Sequence, residues 1–146
     1  MFKSPLEPVL KHRKFIEENL QKELAAIEKS IVIETQKLQE YRSSVCQLSA
    51  DLKQRQKEGS PVSEIFLFLG FIEQQSKNIR NQEKHVSEIR KRVELKRQDL
   101  IEATKKKKTI EKLKEKQLRA HEQVLQKKEQ VFLDEMGIGQ FNKKTG

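Results

Sequence analysis

Starting at Leu20 and stepping alternately by four and three residues, the chain meets Leu24, Ile27, Ile31, Glu34, Leu38, Tyr41, Val45, Leu48 and Leu52. Nine of these ten positions are apolar or aromatic, and a repeat averaging 3.5 residues is the signature of a helix with a coiled-coil seam. A strand repeats every two residues, so this stretch cannot be half-buried sheet. The pattern extends backward less regularly through Ile16, Val9 and Leu6 to "SPLEP", where proline is tolerated in a first turn. Helix 1 is therefore expected over about 5–57. The segment "KEGSPVSE" interrupts it: Gly59 suits the end of a helix, Ser60 an N-cap and Pro61 the first position of the next helix. A turn is expected at 58–61.

The rhythm restarts at Ile65 and runs through Phe68, Ile72, Gln75, Ile79, Gln82, Val86, Ile89, Val93, Lys96, Leu100 and Ala103, nine of twelve positions being apolar. Helix 2 is expected over about 61–136, with "MGIGQFNKKTG" ending helical order in a flexible tail over 137–146. Two seam helices joined by so short a turn fold back on each other. The expected fold is all-α: a single domain over 1–146, an elongated antiparallel two-helix coiled coil, or α-hairpin, with an overhanging C-terminal part of the second helix. With the turn near 59 and 60, paired positions sum to about 119, so helix 1 runs out near Lys114. Beyond it Leu118, Val124, Leu125, Val131, Phe132 and Leu133 form an apolar stripe without an intramolecular mate. Such a stripe frays, supports a homodimer or waits for a groove.

Two further features need a partner or an explanation. In "IFLFLGFI", residues 65–72, Ile65, Phe68 and Ile72 serve the seam, while Phe66, Leu67, Leu69 and Phe71 have too little partner surface in a two-helix structure. They either wrap the turn or dock another protein. Residues 90–119 hold thirteen Lys or Arg against five Asp or Glu, most of the formal net charge of +9. The same register sets Lys105, Lys106, Lys107 and Lys108 beside Lys11, Arg13 and Lys14, with Glu17, Glu18 and Glu102 near enough to offset repulsion. Those thirty residues contain no aromatic side chain, which removes base stacking, so nucleic acid is not the expected partner.

No phosphate loop or metal-ligand spacing is present, and His12, His85 and His121 are scattered, so neither enzyme activity nor a cofactor is expected. The lone Cys46 reads as a buried seam residue. No apolar run reaches the roughly 18 residues of a membrane span, and the start of the chain lacks the apolar block of a secretory signal; the expected location is cytoplasmic.

"FKSPLEPVLKHRKFIEENLQKELA", "LQEYRSSV", "FLGFIEQQSKNI" and "KKEQVFLDE", in this order and spacing, resemble the FliJ family of flagellar type III export proteins over nearly the whole chain. The resemblance implies a stalk-like antiparallel coiled coil whose open end enters the ring of the export ATPase FliI and promotes its assembly. It also implies contact with the export gate protein FlhA, escort of export chaperones, and membrane association only through partners at the cytoplasmic face of the inner membrane. On this resemblance Phe71, Gln75, Asn78 and Gln82 form the gate-contacting surface, and Glu40, Tyr41 and Arg42 match a first-helix motif in which Tyr41 also holds a seam position. The ATPase ring would receive the end carrying Lys11, Arg13 and Lys105 to Lys108, and Leu118, Leu125 and Phe132 would present the overhang. Two other classes stay open: a basic coiled coil that binds nucleic acid or an anionic membrane surface, and a structural coiled-coil homodimer.

Overall fold

The computed structural model describes residues 3–145, with side chains described for 3–139. Two long helices packed against each other account for the fold: α1 (Glu7–Lys57) and α2 (Val62–Thr145), with no strand among the described residues. Contacts divide the chain into two units, Leu20–Leu100 and Met1–Asn19 with Ile101–Gly146.

The turn between the helices is set by one left-handed residue. Gly59 has φ of 76°, a conformation that costs side-chain-bearing residues energy because of Cβ crowding. This lets the Ser60 N–H donate to the Arg55 carbonyl at 3.1 Å and the Gly59 N–H to the Gln56 carbonyl at 3.3 Å, the paired bonds that close a helix C-terminus. The Pro61 carbonyl then accepts from the Ile65 N–H at 3.3 Å. Pro61 therefore lies just outside α2, which begins at Val62, one residue later than expected, and its missing N–H costs nothing there.

Within Leu20–Leu100 the alternating positions of both helices turn inward. Leu38, Val86, Ile89 and Val93 are buried, Val86 most completely at 2% exposure, and the remaining seam positions are half-buried. Two helices cannot enclose more than this narrow strip. Tyr41 is half-buried at its seam position. Polar seam residues find partners too: Gln82 Nε2 donates to the Glu34 carbonyl at 2.8 Å and to Glu34 Oε2 at 2.7 Å across the strip, and Lys96 Nζ reaches out to the exposed Glu23 at its margin at 2.6 Å.

In the unit formed by Met1–Asn19 and Ile101–Gly146 the same step continues, but through polar residues. Backward from Leu20 it passes Glu17, Arg13, Leu10 and Leu6; forward from Ala103 it passes Lys107, Ile110, Lys114 and Gln117. Leu10, Glu17 and Ala103 are buried and the others half-buried. Val9, expected in the seam, is exposed, because an unbroken step lands on Leu10 one residue later. Cys46 is likewise exposed rather than buried: the step occupies Val45 and Leu48 and turns Cys46 outward.

α1 begins beneath a buried serine. Ser4 Oγ accepts from the Leu6 N–H at 3.1 Å and donates to Gln117 Oε1 at 2.7 Å, so one hydroxyl caps a helix and ties it to its neighbour. At its other end α2 remains helical to Thr145, where the sequence leads one to expect an end near residue 136. Gly137 and Gly139 each weaken a helix by about 1 kcal/mol, but the Glu, Met and Gln around them favour it and neither glycine adopts positive φ. Of the expected tail, Gly146 lies outside the described residues.

Candidate partner-binding surfaces

The first turns of α2 present more apolar surface than α1 covers. Val62, Phe66, Leu67, Leu69 and Phe71 are all exposed, Phe66 at 67% and Phe71 at 52%. Phe68, turned to the seam, lies 5.8 Å beneath the Arg55 guanidinium, which also pairs with Glu64 at 3.4 Å. At 100° per residue, Val62, Phe66 and Leu69 share one flank of α2, Leu67 and Phe71 the other, and Gly70 the back between them. A Cβ added at Gly70 would meet nothing within 4 Å, so nothing in this chain requires glycine there.

The four residues expected at the gate-contacting surface differ in exposure. Phe71 is exposed. Asn78 Nδ2 donates to Gln75 Oε1 at 3.2 Å and Asn78 Oδ1 accepts from Gln74 at 3.4 Å, leaving both Gln75 and Asn78 half-buried. Gln82 turns inward, its amide donating to Glu34. That bond, ahead of the Lys37 contact, holds the Glu34 carboxyl below its ordinary value despite the opposing effect of burial.

The basic candidates also separate into two kinds. Lys107 Nζ donates to Glu17 Oε1 at 2.9 Å and Thr104 Oγ1 to Glu17 Oε2 at 2.8 Å, so both carboxylate oxygens of a residue only 8% exposed are satisfied. The Lys107 bond first and the Thr104 bond second hold the Glu17 carboxyl below its ordinary value, and the same contact raises Lys107. Lys114 pairs with Glu7, whose carboxyl it lowers in the same way, with Lys11 and Lys14 adding to the effect. Arg13 is half-buried at a seam position. What stays exposed is Lys11, Lys14, Lys105, Lys106 and Lys108, of which Lys105 makes a 3.9 Å contact with Glu102. Lys3, Lys11, Lys14 and Lys114 line a groove together with Glu7, Glu111, Glu115, Leu10 and Leu118. Sequence reasoning set Glu17 near the lysine run without pairing it to Lys107 and missed Glu7–Lys114; carrying the seam step past Leu20 and Ala103 reaches Glu17, Lys107 and Lys114, while Glu7 lies one residue off it.

From residue 122 to residue 139 every side chain of α2 is exposed. Leu118, Leu125 and Phe132 are exposed, as are Val124, Val131, Leu133, Met136 and Ile138. Among the described residues no helix is long and apolar enough to cross a membrane.

Comparison with known proteins gives two findings. The family model described as "Flagellar FliJ protein" matches residues 2–146. A solved structure of CT670 from Chlamydia trachomatis, described as a YscO homolog, is similar with a TM-score of 0.54 at 22% identity, covering 100% of both chains. At that identity the likeness speaks for the fold. No curated protein matches significantly.

Proposed function

Because the chain belongs to the FliJ family, we propose that it is a non-enzymatic part of the flagellar type III export apparatus which binds the ring of the export ATPase FliI, contacts the export gate FlhA and escorts export chaperones. The observation that carries this reading is the family match over residues 2–146. The distribution of committed and uncommitted side chains supports it. Lys107 and Lys114 are used to hold α1 and α2 together, while Lys11, Lys105, Lys106 and Lys108 project freely enough to steer toward an acidic or carbonyl-lined rim. The exposed phenylalanines and leucines of 62–71, on both flanks of α2, form the kind of apolar surface that marks a protein contact. In this reading Phe71 is the gate anchor, Gln75 and Asn78 border it, and Gln82 fixes helix register from within.

The test is a binding and ATP-hydrolysis assay with hexameric export ATPase. Lys105→Gln, Lys106→Gln and Lys108→Gln combined are expected to weaken ring binding and lower stimulation, with Lys107 left in place so that the Glu17 pair survives. Unchanged stimulation across a range of salt would reduce these lysines to a solvated face. Loss of binding to anionic vesicles or nucleic acid with stimulation intact would move the function to the other class.

A further inference from the structure

The seam of α2 does not stop where α1 does. Carried past Gln117 it falls on His121, Val124, Lys128, Val131, Glu135 and Ile138, with Leu118, Leu125 and Phe132 on one flank and Lys127 and Asp134 on the other. From 122 to 139 every residue is exposed, although Val124, Val131 and Ile138 recur every seven residues and Leu118, Leu125 and Phe132 do the same. A lone surface helix gains nothing from such a stripe; it is half of an interface.

We propose that this segment of α2 pairs antiparallel with the same segment of a second copy of the chain. The occupant follows from self-complementarity. In an antiparallel pair the inner positions of one helix meet those of the other in reverse order, and like flanks face each other. With the two-fold axis between Glu129 and Gln130, Val131 meets the methylene stem of Lys128 from the second copy, and Val124 meets that of Glu135. On one flank Leu125 meets Phe132 of the second copy; on the other, Lys127 meets Asp134. Symmetry repeats each contact, so two large apolar pairs and two opposite-charge pairs form at once. A parallel arrangement would instead set Lys128 beside Lys128 and Glu135 beside Glu135 in the seam. In the single chain Asp134 Oδ1 accepts only a 3.0 Å bond from Gln130 along its own helix among the described contacts, and its other oxygen remains available to Lys127 of the second copy.

The polar side chains at three seam positions, His121, Lys128 and Glu135, make this a reversible association, readable by sedimentation equilibrium of the full chain from about 1 to about 200 µM. The wild-type chain is expected to shift from monomer to dimer across that range. Lys127→Asp or Asp134→Lys alone converts both charge pairs to repulsive ones and is expected to weaken the dimer roughly tenfold. The double exchange, Lys127→Asp with Asp134→Lys, restores it, and an equimolar mixture of the two single variants forms the mixed dimer in preference to either parent. Circular dichroism checks that helix content is unchanged. A wild-type chain that stays monomeric throughout, or single and double variants that weaken the dimer equally, would overturn the proposal. None of these outcomes depends on the export ATPase, so they are independent of the functional reading above.

Discussion

Residues 20–100 and the unit formed by 1–19 with 101–146 follow one seam step but hold it with different chemistry. In the first, Leu38, Val86, Ile89 and Val93 supply a dry strip, and the ion pairs Arg42–Glu83, Lys96–Glu23 and Arg97–Glu28 lie at its margins. Exposed pairs of that kind contribute little, so apolar burial dominates there. In the second, Ser4, Glu17, Lys107 and Gln117 occupy the seam beside Leu10 and Ala103, and hydrogen bonds with the largely buried Glu17–Lys107 pair carry much of the pairing, the more exposed Glu7–Lys114 pair lying at the edge. Periodicity thus fixes where the helices meet, and residue type fixes what can part them.

The largest effect should come from the apolar strip. Ile89→Ala or Leu38→Ala is expected to cost about 2–4 kcal/mol in denaturant unfolding, since each deletes a buried side chain that the neighbouring helix cannot refill. A loss below about 0.5 kcal/mol would mean the strip is not the source of cohesion. Next in size is Glu17→Gln, which leaves Lys107 without its anion; amide exchange should rise a few-fold in 3–19 and 101–118 and stay unchanged in 20–100. Exchange rising equally in both would erase the distinction between the two regions.

Acid provides a third test. Glu7 and Glu17 are held below their ordinary value of 4.5, so the folded state binds fewer protons there than the unfolded chain. Their stabilisation is complete above 4.5 and is lost as pH falls through the lowered folded values. Lys107 is raised above 10.5, so its contribution is complete below 10.5 and disappears as pH rises through the raised value. Helical signal monitored region by region on acidification should therefore fall first in 3–19 and 101–118, with Glu34 giving 20–100 a weaker version of the same response. The smallest effect on stability belongs to Phe71→Ala, within about 0.5 kcal/mol because the ring is half in solvent, while binding to the export gate should fall. An equal drop in thermal stability to that of Ile89→Ala would make Phe71 part of the packing.

How far the sequence could be read follows the same division. Wherever apolar residues kept the step, from Leu20 to Leu52 and from Ile65 to Ala103, both helices and their seam were legible, and Gly59 with Pro61 marked the turn. Where the seam turned polar the reading faltered: Val9 stood in for Leu10, and the Lys107 and Lys114 pairs were hidden inside what looked like an undivided basic cluster. Hydropathy alone cannot distinguish a lysine that reaches across to a carboxylate from one that faces solvent; only the step number can. Gln82 carries two readings for a related reason. It belongs to the family's contact segment by resemblance and to the seam by register, and its hydrogen bonds to Glu34 serve the seam.

Amide exchange of the full chain at low salt and at roughly 0.5 M salt, where screening falls to a few ångströms, tests the contrast between the two seams most directly. The expected result is faster exchange in 3–19 and 101–118, where charge holds the helices, with protection in 20–100 unchanged or slightly increased. Equal loosening of both regions, or loosening confined to 20–100, would contradict the claim that one seam is held by apolar burial and the other by charge.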